Sequence, residues 1–166
     1  MPRKLLLLIP IFFLSTANGQ SLNWHLTAQA GTVNNHFKNF QGAFLAGFES
    51  MEGQHLSFGP VVKGYLVNTD FKNLAGGRIY SQSRVIKNLS LYIQCDIFNG
   101  VKSPLTHTRS PMRLESGAGV IYTIYEKIGL SAGYNFGEYN PLNSYRKNSP
   151  AIKLVYLVPL ANNRGW

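Results

Sequence analysis

The chain is short of acid: 7 aspartates and glutamates stand against 16 lysines and arginines in 166 residues, a formal net charge of +9. It holds a single cysteine, Cys95, which excludes an internal disulfide and any metal site built on clustered cysteines. Beyond the first fifteen residues no run is long and apolar enough for a membrane-spanning helix, which takes about 20 residues, and none keeps a helical period. There is no linker, heptad pattern or low-complexity tract, so the remainder reads as one domain. No glycine-rich loop leads into a helix, which removes a phosphate cradle. No His-x-His pair or carboxylate cluster has metal-ligand spacing, and no cofactor is expected.

What is present begins with an export signal. Arg3 and Lys4 form a short basic region, residues 5–14 an apolar core, and Ala17-Asn18-Gly19 the small residues that a signal peptidase reads. Cleavage before Gln20 is expected, giving a signal peptide over 1–19. Pro10 interrupts the apolar run, and Ser15, Thr16 and Asn18 follow it too soon for an anchor. No cysteine stands near the cleavage site, so a lipoprotein signal is absent. Removal of Arg3 and Lys4 lowers the formal charge of +9 by two and takes away no acid. The remaining basic residues are scattered over strands and loops with no basic helix, which argues against nucleic acid. Anionic lipopolysaccharide or phospholipid head groups match this charge better.

From about residue 23 to 158 the chain alternates apolar and polar residues in eight runs, the period of a β-strand with two differently solvated faces. Trp24, Leu26, Ala28 and Ala30 alternate with His25, Thr27 and Gln29, and Phe40, Phe44, Ala46 and Phe48 with Gln41, Gly47 and Glu49. Leu56, Phe58, Val62 and Leu66 oppose Ser57, Lys63 and Tyr65. Pro60 in this third run must sit at a bulge or give up one ladder bond. The fourth run is the least regular, with Ile79, Ser81, Ser83 and Val85 on one face and Arg78, Tyr80, Gln82 and Arg84 on the other. In the fifth, Leu89, Leu91, Ile93, Cys95 and Ile97 alternate with Ser90, Tyr92, Gln94 and Asp96. Leu114, Ala118, Val120, Tyr122 and Ile124 oppose Arg113, Glu115, Gly117, Gly119 and Thr123 in the sixth. Ile128, Leu130, Ala132, Tyr134 and Phe136 oppose Ser131, Gly133 and Asn135 in the seventh, and Ile152, Leu154, Tyr156 and Val158 oppose Lys153 in the eighth.

The connections at 52–54, 87–88 and 126–127 are tight, whereas those at 34–39, 69–76, 99–111 and 139–150 are longer and polar. Short turns on one side and long loops on the other are the habit of transmembrane barrels with both termini on the turn side. The fold class expected is therefore all-β: an eight-stranded antiparallel up-and-down barrel of a Gram-negative outer membrane over 20–158, with a periplasmic tail at 159–166. The pattern resembles the small eight-stranded outer-membrane barrels, the OmpX-like proteins and the OmpA membrane domain, across nearly all of the chain after the signal. That resemblance implies a terminal aromatic on the last strand for the insertion machinery. Here Trp166 is separated from the strand by Pro159, Asn162, Asn163 and Gly165. Either Tyr156 and Val158 carry the strand-end signal, or the last strand has a different register.

On this register Glu49, Lys63, Arg78, Arg84, Asp96, Arg113, Glu115 and Lys153 point inward. Eight strands enclose little more than side chains, so these charges are expected to pair as a network that plugs the lumen, a lone buried ion being costly. The alternative is a narrow ion or solute channel. The inward glycines 117, 119, 129, 133 and 137 leave room for large neighbours such as Tyr92 or Arg113. A lipid A-modifying enzyme, known among small outer-membrane barrels, would need a Ser-His-acid set. His107, Ser110 and Glu115 supply the residue types without a motif, and His25, His36, His55 and His107 are not expected to gather. The chain thus reads as non-catalytic, structural or accessory, with outer-membrane lipid as its setting. Arg109, Arg146 and Lys147 on the loops are candidate lipopolysaccharide contacts. An envelope protein partner, in a secretion or surface-assembly complex, is the remaining alternative. A soluble sandwich or lipocalin-like barrel would instead place Phe44, Phe48, Leu91, Ile93, Leu130 and Leu154 in its core.

Overall fold

The alternation becomes eight strands: β1 (Asn23–Val33), β2 (His36–Met51), β3 (Gln54–Val67), β4 (Asp70–Ile86), β5 (Leu89–Phe98), β6 (Arg113–Tyr125), β7 (Ile128–Tyr139) and β8 (Arg146–Pro159). The computed structural model describes residues 23–33, 36–51, 53–67, 70–99, 112–139 and 146–160. Each strand pairs antiparallel with the next, and β1 closes on β8 from His25↔Pro159 to Gly31↔Lys153, forming a closed barrel. Closure removes the two edges that an open sheet would expose. The signal-peptide expectation at 1–19 lies outside the described residues.

Five boundaries differ from the sequence reading. Residues 70–76, expected in a loop, pair in β4 with β3, Asp70 opposite Val67 and Lys72 opposite Tyr65. Residues 36–39 likewise belong to β2, residues 146–149 to β8 and Tyr139 to β7. Apolar alternation reports where a strand meets an apolar medium, whereas backbone pairing continues past that zone without it. At the other end Pro159 is still in the wall, and the Leu160 N–H donates to the Trp24 carbonyl at 2.8 Å. The tail expected from 159 therefore starts no earlier than 161, and 161–166 lie outside the described residues.

Pro60 realises one of its two alternatives. Pairing between β2 and β3 stops at Ala43↔Val61 and resumes at Ala46↔Phe58 in the same register, so no residue is inserted and ladder pairs are given up instead. On the β4 side the register runs unbroken through Pro60↔Gly77.

The two faces separate cleanly. Phe44, Leu91, Ile93, Leu130 and Leu154 are exposed, at 55, 51, 64, 46 and 49 %. Their neighbours Gln29, Lys63, Arg78, Asp96, Glu115 and Lys153 are buried in the interior. The interior also holds an apolar set: Tyr80 and Tyr92, which alternation directs inward, and Leu45, Val61, Phe98 and Ile121, which the sequence reading did not name. Most arise where two apolar residues are adjacent, as in Phe44-Leu45, Val61-Val62 and Val120-Ile121, so that one side chain faces each way. The Tyr80 and Tyr92 rings stack with centroids 5.7 Å apart. Tyr92 occupies the space above Gly133, where a Cβ would collide with its hydroxyl and with the Ala118 carbonyl.

Candidate functional site: the charged interior

β4 and β5 place Arg78 directly opposite Asp96. The guanidinium grips the carboxylate with both edges, Nε to Oδ1 and Nη2 to Oδ2, each at 2.7 Å. This two-pronged match is among the strongest polar contacts a side chain makes. The remaining donors cross the lumen: Nη1 to the Gln29 carboxamide on β1, and Nη2 to Gln41 Oε1 on β2 at 3.0 Å. One fully buried arginine thereby ties four strands together.

A second centre lies toward the loop end. Lys63 of β3 donates to Glu115 of β6, stands 3.5 Å from Glu138 Oε1 of β7, and rests over the Phe98 ring with its ammonium 5.2 Å from the centroid. Glu138 accepts in turn from the hydroxyl of Ser149 on β8 and is hydrogen bonded to Tyr65. A third centre is Lys153 of β8, held by the Gln94 carboxamide and by the Tyr92 ring at 4.4 Å. Gln94 also donates to Asn135 at 3.3 Å. Among the described residues the buried charges are thus three cations, Lys63, Arg78 and Lys153, and three carboxylates, Asp96, Glu115 and Glu138. Charges so enclosed persist because each has a partner of opposite sign or a strong acceptor.

Of the eight residues the sequence directs inward, five are buried: Lys63, Arg78, Asp96, Glu115 and Lys153. Glu49 is half-buried at the turn end, where Oε1 accepts the Gly53 N–H at 2.8 Å. Arg113 is half-buried at the loop end as the first residue of β6. Arg84 departs from the expectation: it is exposed, beside the tight turn at Gly53, where the register shifts between Arg84 and Ile86. Its ladder partner is the inward Ser90, so parity holds as far as Arg84, and the side chain is exposed because it stands at the turn end of the strand.

Glu138 is the functional residue that period-two reading misses. Counting from Asn135 would aim it outward. The register with β8 slips between Asn135 and Glu138, and Gly137 takes φ +68, a left-handed conformation open to glycine at little cost. Its N–H is received by Asn148 Oδ1 at 3.1 Å. The extra residue returns the acid to the interior. A signal was present: the inward set read from sequence held five cations and three acids, and a Gly-Glu pair late in a strand could supply the missing negative charge.

Other candidates distribute as follows. Arg109, His107 and Ser110 lie outside the described residues. Arg146 and Lys147 sit on β8 opposite Tyr139 and Glu138, and their side chains are outside the described set. Glu115, the acid of the candidate catalytic trio, is engaged by Lys63. His25 and His55, two of the four histidines not expected to share one site, are in ring contact at the turn end. Among the described residues no group of three or more His, Cys, Asp or Glu is placed to hold a metal ion.

No protein-family model matches the chain. No curated protein matches it in sequence. Solved structures similar in fold include the following two. One is from a study of the de novo design of transmembrane β-barrels, with a TM-score of 0.44 and 12 % identity over 86 % of this chain and 98 % of that one. The other is the N-terminal β-barrel domain of Pseudomonas aeruginosa OprF, with a TM-score of 0.47 and 13 % identity over 85 % of this chain and 100 % of that domain.

Proposed function

We propose that this protein is a non-catalytic barrel of the outer membrane with a structural or accessory role, its lumen locked by ion pairs. The observation that supports this most is the inversion of polarity across a single wall. Phe44, Leu91, Ile93, Leu130 and Leu154 are exposed on every side of a barrel whose centre is Arg78, Asp96, Lys63 and Glu115. A water-soluble barrel needs the reverse, because a continuous apolar surface of this kind drives aggregation in water. In lipid it is the solvated face, and a closed ladder leaves no wall backbone to an unpartnered edge.

Strand length and end residues agree with this reading. Strands of 10 to 17 residues meet the roughly 9–11 that a tilted transmembrane strand needs. Exposed Trp24, Tyr122, Tyr125 and Tyr156 lie toward the turn end, and Tyr134 and Phe136 toward the loop end. Paired aromatic girdles of this kind suit the two interfaces of a bilayer. In this reading residues 1–19 direct export, the turn end faces the periplasm, and Arg109, Arg146 and Lys147 meet lipopolysaccharide phosphates at the cell surface. The loop side is then the face open to an envelope protein partner.

The test is gel mobility of the outer-membrane fraction, with and without boiling. The expected result is a band in that fraction that migrates differently when unheated, as a folded barrel does. Recovery in the soluble periplasmic fraction with no heat-dependent shift would overturn the membrane assignment. Separately, alanine at Arg109, Arg146 and Lys147 together should weaken lipopolysaccharide binding by the refolded barrel. Unchanged binding would remove that contact from the account.

A further inference from the structure

At the turn end the interior changes character. His25 of β1 and His55 of β3 belong to strands separated in the wall by β2, yet their rings meet edge to face, centroids 4.9 Å apart and planes at 89°. Gly47 of β2 is the ladder partner of both His25 and Ser57, and its lack of a side chain admits the contact. A Cβ there would collide with the Leu56 carbonyl and the Ser57 hydroxyl. His25 Nε2 is hydrogen bonded to Ser57 Oγ at 2.9 Å, and His25 is only 2 % exposed.

The charged and titratable groups facing this pair come from each neighbouring strand. β2 supplies Glu49, opposite His55 in the ladder. β4 supplies Gln82 opposite His55, Tyr80 opposite Ser57, and Arg84, whose N–H donates to the Gly53 carbonyl at 2.7 Å. β8 supplies Pro159 opposite His25 and Leu157 opposite Thr27, neither of them charged. One carboxylate thus serves two imidazoles, with a guanidinium nearby.

We propose that His25 and His55 form a proton-operated latch closing the turn end of the barrel. Neutral rings pack edge to face and fasten β1 to β3 across Gly47. A first proton is balanced by Glu49. A second places like charges on rings in contact, with Arg84 adding to the repulsion and no further acid among the described residues facing the pair. The rings then part, and the ends of β1, β2 and β3 loosen while the Arg78 and Lys63 centres hold the rest of the barrel. Imidazole is the side chain that is neutral at pH 7.5 and gains a charge on acidification, which is what such a latch needs. The inference rests on the barrel interior alone, so its failure and that of the membrane assignment are distinguishable.

The experiment is NMR of the full chain refolded in detergent micelles between pH 7.5 and 3.5, following the imidazole signals and amide exchange together. The latch requires both imidazoles to titrate in this range. Protection at Gly47 and Ser57, corrected for intrinsic exchange, should fall at least tenfold, while Gln94 and Asp96 stay protected. His55→Phe keeps a ring in place without the charge and should hold protection at Gly47 and Ser57 constant with pH. Imidazoles that stay neutral to pH 3.5, titration without local loosening, or loosening that persists in the His55→Phe variant would each overturn the latch. Should that variant fail to fold, the wild-type titration decides alone.

Discussion

The outer wall and the interior of this barrel are built from the same eight strands, residue by residue, under opposite rules. Outside, Phe58, Ile79, Ile93 and Leu154 differ in shape and size and share only their lack of charge. Inside, each large group has a particular counterpart: Arg78 with Asp96, Gln29 and Gln41, Lys63 with Glu115 and Glu138, Tyr92 over Gly133. The outer face therefore specifies a medium and the inner face specifies a structure. A change that respects polarity should pass unnoticed outside and be felt inside, whereas a change of polarity should be felt on both.

The comparison is broken most severely at Arg78. Its replacement by Ala leaves the Asp96 carboxylate buried without its partner and takes the N–H donors from the Gln29 and Gln41 carboxamide oxygens. The expected loss is about 3–5 kcal/mol, read as a lower urea midpoint for unfolding from lipid vesicles. A loss below 1 kcal/mol would show that the interior admits water and that the pair is not locked. On the outside the matching insult is Ile93→Lys, which puts a charge on the exposed face at mid-strand. About 2–4 kcal/mol is expected in vesicles, and no cost there would mean that this face does not meet lipid.

Two glycines sharpen the contrast at constant polarity. Gly133→Ala drives a methyl group into the Tyr92 hydroxyl and the Ala118 carbonyl, and should cost about 1–3 kcal/mol by the same unfolding assay. Gly77→Ala on the outer face meets nothing within 4 Å. It should be neutral or stabilise by about 0.5–1 kcal/mol, because alanine has less backbone freedom to lose. Equal effects from the two substitutions would erase the distinction between the faces.

Which side chains point inward was legible in the sequence wherever strict alternation held. The fifth strand is the clearest case: Leu91 and Ile93 are exposed, while Ser90, Tyr92, Gln94 and Asp96 are buried. Legibility failed where the ladder slips. Glu138, beyond the irregularity in β7, is displaced from the face that counting assigns it, and Arg84 keeps its parity but reaches the exposed turn end. It also failed at Asp70 and Lys72, where strand pairing outlasts the apolar zone that produces the signal. The meeting of His25 and His55 was beyond sequence reasoning for a different reason. It spans two strands that are not neighbours, and depends on the small residue between them and on the curvature of the closed wall.

The central claim, that lipid and not protein covers the apolar face, is tested most directly by methyl NMR of the barrel in bilayers carrying a nitroxide on the acyl chains. The account expects strong broadening of the Ile93, Leu130 and Leu154 methyls and sharp signals from Leu45, Val61, Ile121 and Val155. Comparable broadening of both sets, or protection of the first set, would contradict it.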